Sequence, residues 1–213
     1  MIKKLGGLTF LALTAIVLFD SCKKDPLNNL TNDESRIYIS NFDTTAVFSN
    51  YKTFSITDSA EVIQDNHSVG KELHSFDSTV ISAVAQVMQQ RGYRLVDKGS
   101  SPDLAVNVSK VYSTSTGVFS YDDYWDYYGD YYDPYYWGYP GYGYYSPYAV
   151  GVYSIQTGGL EIDLLDLKNA VAHDNKIQFV WTGLARGENV LSTGNAATGV
   201  NALFSQSAYL KTN

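Results

Sequence analysis

The chain has 213 residues, 45% of them hydrophobic, which suffices for one ordinary globular domain and excludes a collagen-like or wholly disordered polymer. Fifteen Lys and Arg against 22 Asp and Glu give a formal charge of −7 with no long basic run, so a phosphate-tracking nucleic-acid surface is excluded. A single cysteine excludes a disulfide framework and a cysteine-built zinc site.

Lys3 and Lys4 precede an apolar stretch, Leu5 to Phe19, interrupted only by Gly6, Gly7, Thr9 and Thr14. It is short for a bilayer crossing and has the form of a signal-peptide core. Asp20-Ser21-Cys22 follows, a small residue before the lone cysteine, and resembles the end of a bacterial lipoprotein signal in the loose Ser-Cys versions of Bacteroidota. Residues 1–21 are therefore read as signal peptide and Cys22 as the lipidated first residue of the mature chain. Several acyl chains, palmitate among them, anchor stably where a single myristoyl does not. The expected location is the cell envelope, tethered to the outer membrane, with the periplasmic face and the cell surface both open. Residues 22–35 are polar and read as a flexible tether, leaving 36–213 as one domain.

Arg36–Ile39 and Tyr51–Ile56 are β-branched and aromatic runs that predict two short strands, with Asn41, Ser49 and Asn50 as turn punctuation. Residues 57–76 are polar and read as a loop. Val80, Ile81, Val84, Val87 and Met88 recur at helical spacing, with Asp77-Ser78 as the expected N-cap and Gly92 as the stop. Tyr93–Val96 is extended, and Leu104, Val106 and Val108 alternate with Ala105, Asn107 and Ser109, which predicts a half-buried strand. Leu160, Ile162 and Leu164 alternate with Glu161 and Asp163, and Ile177, Phe179 and Trp181 follow a turn at His173–Asn175. This predicts a hairpin with one wet face. Val200, Leu203 and Phe204 suggest a short final helix. The predicted fold class is α+β: a two-layer sandwich, mostly antiparallel, with two helices on one face and a Tyr-rich insertion loop.

That insertion, residues 121–148, holds thirteen Tyr, Trp125, Trp137, five Asp and three Pro, without Lys or Arg. It has neither helical nor strand periodicity. Aromatic faces stack on sugar rings or on apolar patches of another protein, so Tyr124, Trp125, Tyr128, Tyr132, Tyr136 and Trp137 are the candidate ligand contacts. A self-associating low-complexity loop without a ligand is the competing reading. The five Asp lack the Gly and terminal Glu of a calcium loop. His67, His74 and His173 lack zinc-site spacing and read as surface histidines. No metal site and no cofactor is expected. Glu161 and Asp163, about 7 Å apart on one strand face, are within glycosidase range but read as the solvated side of the hairpin.

The order Phe48–Phe54, Arg91–Asp97, Pro102–Val106, Leu160–Asp166 and Val180–Gly183 resembles the bacterial lipoprotein family catalogued as domain of unknown function 4136, across residues 36 to 210. The resemblance implies a lipidated N-terminus, a small α+β domain and a Gly/Tyr-rich insertion. It implies no catalytic residues. The chain is read as a non-enzymatic envelope lipoprotein, held to the membrane through its acyl chains, whose Tyr-rich loop contacts a glycan or protein partner. The alternatives are a hydrolase of envelope polysaccharide or peptidoglycan, with acids from 122–133 or from Glu161–Asp166, and a structural subunit of an envelope complex without a small ligand.

Overall fold

The computed structural model describes residues 31, 34–64, 67–112, 134–148 and 158–213. The chain divides into Met1–Ser35 and Arg36–Asn213, and the domain is the second of these. Among the described residues, strands β1 (Ile37–Phe42), β2 (Thr53–Ile56), β3 (Ala60–Gln64), β4 (His67–Glu72), β5 (Arg94–Leu95), β6 (Leu104–Tyr112), β7 (Gly143–Tyr145), β8 (Gly159–Asp166) and β9 (Lys176–Arg186) form one open mixed sheet. Helices α1 (Ser75–Gln90) and α2 (Thr193–Ser205) accompany it, which bears out the α+β class. None of the described helices is long and apolar enough to cross a membrane.

The sheet is built on the three longest strands, β9, β8 and β6, joined by antiparallel ladders. Each outer side of this trio is shared by two shorter strands. On β6, β2 lies parallel to Leu104–Val106 and β3 parallel to Ser109–Tyr112. On β9, β1 runs antiparallel to Trp181–Arg186 while β7 runs parallel to Lys176–Gln178. The β8–β9 register skips Val180, passing from Leu164 opposite Trp181 to Leu165 opposite Phe179. Such a bulge bends the strand and re-aims its side chains. Here it brings Gln178 opposite Asp166 at the end of β8.

One face carries both helices. Val80, Val84 and Met88 of α1 and Val200, Leu203 and Phe204 of α2 pack on Val106, Ile162, Leu164 and Trp181. The Trp181 indole is fully buried, donates to Ser207 Oγ at 2.8 Å and lies 4.9 Å from the Phe204 ring. Gly183 sits beneath it, and a Cβ there would overlap the indole.

The other face is covered too, which corrects the expected wet side. Residues 134–148 lay Tyr136, Trp137, Tyr139, Tyr142, Tyr144 and Tyr148 across Ile63, Ala105, Leu165, Ile177 and Phe179. The second half of the Tyr-rich insertion is therefore a third layer. Consequently β6 is buried on both sides, and Glu161 (5% exposed) and Asp163 (0%) lie inside the protein. Alternation in β6 and β8 reflects a polar strip within a covered sheet. Asn107 and Ser109 lie opposite Asp163 and Glu161 in the ladder. Thr182 donates to Asp163 and meets Tyr148 Oη, while Trp137 Nε1 donates to Asn107 Oδ1 at 3.1 Å.

Two further expectations change. The polar stretch 57–76 contains the β3–β4 hairpin, because Ala60, Val62 and Ile63 are buried against β6. Three apolar residues are too few for a periodic signal, and the pairing that fixes them is distant in sequence. Helix α1 starts at Ser75: His74 is the N-cap, and its backbone N–H donates to Asp77 Oδ2 at 2.7 Å in a capping box. Asp77 is thus the N3 partner in place of the cap, and Phe76 joins the core. At the other end Gly92 adopts φ +93° and Tyr93 N–H reaches Met88 O, a glycine-terminated helix as expected.

Arg91 joins the two helices. Its guanidinium donates to the carbonyls of Phe204, Ser207 and Leu210 at 2.6, 2.6 and 2.9 Å, satisfying the open C-terminal end of α2 and the turn beyond it. Arg91→Ala is expected to destabilise the domain by about 2–3 kcal/mol, the scale of hydrogen bonds to a charged donor. The check is the urea midpoint at unchanged slope; an unaltered midpoint would mean these bonds contribute nothing net.

Candidate functional site

The chain leaves β1 through Asp43-Thr44-Thr45. Asp43 is buried, and its Oδ1 accepts both the backbone N–H and the hydroxyl of Thr45, at 2.8 and 2.7 Å. This local turn is what Asp followed by Thr favours. Gln178 Nε2 reaches the other carboxylate oxygen at 2.5 Å. A 3-10 turn at Phe48–Asn50 then delivers Tyr51, whose hydroxyl donates to Asp166 Oδ2 at 2.9 Å. Asp166 is 3% exposed and also accepts from Asn169, through its backbone N–H at 3.0 Å and its Nδ2 at 2.7 Å. Each carboxylate therefore receives three hydrogen bonds from neutral donors.

These groups line a cleft of about 410 Å³, with Val47, Asn50, Lys168 and His173 on its rim. Lys168 Nζ donates to Asn50 O at 2.7 Å and lies 3.8 Å from Asp103 Oδ1, so its charge is directed away from the floor. Among the described residues no Lys or Arg pairs with Asp43 or Asp166. Burial, followed by the neighbouring Asp166 and Asp43 carboxylates, pushes the Tyr51 phenol well above its ordinary value. Tyr51 is thus held as a neutral donor.

Of the residues singled out in the sequence, Cys22, Tyr124, Trp125, Tyr128 and Tyr132 lie outside the described residues, as do Asp122 to Asp133. Trp137 is 4% exposed and bonded to Asn107, so its indole serves the interior and presents no face to a ligand. Tyr136 is half-buried, with Lys98 Nζ 3.9 Å and Lys71 Nζ 4.6 Å from its ring centre. It borders a second cavity of about 510 Å³ beside Ser55, Asp58 and Leu95. Of the acids considered for hydrolysis, Asp166 lines the cleft, while Glu161 and Asp163 are buried beneath the aromatic cover. His173 is exposed at the rim.

Glu72, His74 and Asp77 bring potential metal-ligating atoms within 4.8 Å of one another. Lys110 already occupies that cluster, at 2.5 Å from Glu72 and 3.1 Å from the fully buried Asp77. A cation is present in covalent form, and the group ties β6 to the start of α1.

No local sequence pattern joins Asp43, Tyr51, Asn169 and Gln178 into one site. Asp43-Thr44-Thr45 carries a turn signal, but nothing local announces that Asp43 meets a glutamine 135 positions away.

Buried phenols give the domain a pH limit. Tyr51, Tyr93 and Tyr148 are all raised, mainly by burial, above the ordinary value of 10.0. The unfolded chain releases those protons from about pH 10 while the folded chain keeps them, so stability is full below that pH and falls above it. The urea midpoint is expected to hold from about pH 7 to 9 and to drop at about pH 11, alongside the rise in tyrosinate absorbance. A midpoint flat to pH 11 would show that the phenols titrate freely in the folded protein.

A family model described as "Domain of unknown function (DUF4136)" matches residues 39–207. The chain is similar to a DUF4136 family protein from Bacteroides thetaiotaomicron, at 28% identity over 85% of this chain and 100% of that one, with a TM-score of 0.70. It is also similar to a PelC dodecamer from Paraburkholderia phytofirmans, at 12% identity over 82% of this chain and 98% of that one, with a TM-score of 0.39. No curated protein matches.

Proposed function

We propose, for a chain that belongs to the DUF4136 family, a lipid-anchored envelope protein whose α+β domain is a non-enzymatic glycan-binding module. The observation that carries the binding assignment is the cleft over Asp43 and Asp166. Planar carboxylate and amide groups, held by fixed donors on a floor with an exposed histidine at the rim, make the small set of placed polar groups that orients a hydroxyl-rich ligand. Three hydrogen bonds to each carboxylate suit a fixed acceptor better than a group that must gain and lose a proton. The aromatic cover, by contrast, spends Trp137 on the sheet. The membrane assignment rests on the leader and on Cys22, placed where acyl chains would follow signal cleavage.

The test is binding of residues 33–213 to peptidoglycan fragments and capsular glycans, beside Asp43→Asn and Asp166→Asn. Either substitution is expected to weaken binding about tenfold or more, the scale of one charge-assisted bond. Unchanged binding by both folded variants would remove the cleft from the reading. A deletion aimed at the Tyr-rich segment must stop before Pro134, because residues 134–148 form the sheet cover. For the anchor, Cys22→Ser is expected to abolish fatty-acid incorporation in growing cells; continued labelling would place the lipid elsewhere or nowhere on this cysteine.

A further inference from the structure

We propose that the Asp43–Asp166 cleft holds its ligand through a primary ammonium group, an inference that rests on the cleft being the binding site. Donors of the cleft are turned on its two acids: Thr45 and Gln178 Nε2 donate to Asp43, Tyr51 Oη and Asn169 to Asp166. The two carboxylates and the Gln178 carbonyl make the cleft rich in acceptors. Gln178 decides the point. Its side chain is 8% exposed, and Asp43 fixes its orientation, since the reversed amide would set a carbonyl against a carboxylate. Among the described residues the Oε1 that results has no donor partner, and Gln178 belongs to the wall of the cleft.

An ammonium group brings three donors and no acceptor, which matches the remaining lone pairs of two carboxylates and one amide carbonyl. Charge favours the same ligand. Two nearly buried carboxylates without a paired cation are costly, and a bound ammonium supplies the missing charge where protein donors supply only dipoles. Lys168 does not, being turned to Asn50 and Asp103. A calcium ion would need six to eight oxygens, whereas three donors already occupy each carboxylate.

The two sources of such a group in an envelope polymer are an amino sugar and the free amine of a peptide. The probes are therefore glucosamine oligosaccharides, the same oligosaccharides N-acetylated, a short peptide with a free amino terminus, and calcium chloride. Each is titrated into the wild-type domain while the side-chain amide signals of Gln178 and Asn169 are followed by NMR. Those signals are expected to shift with an amine-bearing probe, and N-acetylation should weaken binding about tenfold or more. Asp43→Asn and Asp166→Asn should lose the same preference, and the wild-type shifts keep the test valid if either variant fails to fold. Binding of the peptide alone would keep the ammonium and remove the glycan. Equal binding of free and acetylated sugars would overturn the ammonium and leave the glycan site standing. Amide shifts with calcium, or with no probe at all, would overturn the proposal.

Discussion

Burying three long strands on both faces makes every polar side chain on them costly unless it finds a partner, and much of the domain answers that demand. β6, β8 and β9 carry Asn107, Ser109, Glu161, Asp163 and Thr182 on the side away from the helices. An apolar lid alone would strand these groups at several kcal/mol each. Tyrosine and tryptophan ease the conflict, since each brings a large apolar body and one polar handle. Trp137 reaches Asn107, and Tyr148 reaches Asp163 through Thr182. Seen this way, the composition of residues 134–148 is set by the floor they cover.

The helical side meets the same demand differently. Its contacts are almost wholly apolar, and the polar work is moved to the ends, where Arg91 closes α2 and the capping box closes α1. The buried Lys110–Asp77 pair links this layer to the sheet. Such a pair adds little net stability against an apolar replacement, yet removing one partner alone is costly. It fixes where α1 begins relative to β6.

Much of the architecture was legible in the sequence, and what escaped did so for identifiable reasons. Val80, Val84 and Val87 specify α1 by spacing, and Gly92 its end, because both are local properties. The hairpin at Ala60–Glu72 was hidden because its strands are defined by pairing with β6. The inward acids of β8 were misread because alternation reports two unlike faces without saying whether the polar one is wet. The β9 bulge at Val180 was invisible for a similar reason: the β8–β9 ladder determines it, and neither strand does so alone. The cleft depends on that bulge and on contacts between residues more than a hundred positions apart, such as Tyr51 with Asp166. Family resemblance reached the fold by a different route, through the order of short motifs, and carried no site with it.

The position of the cover in the chain sets an order of events. Residues 143–145 pair with Lys176–Gln178, which are synthesised later, so the third layer closes only once β9 is in place. Until then Glu161 and Asp163 stand on an open sheet surface as negative charges. Inward-pointing charges on an unfinished sheet discourage pairing with other chains. The acids that look misplaced in the finished core therefore protect the protein during its assembly, and the last aromatic layer to arrive withdraws them from water.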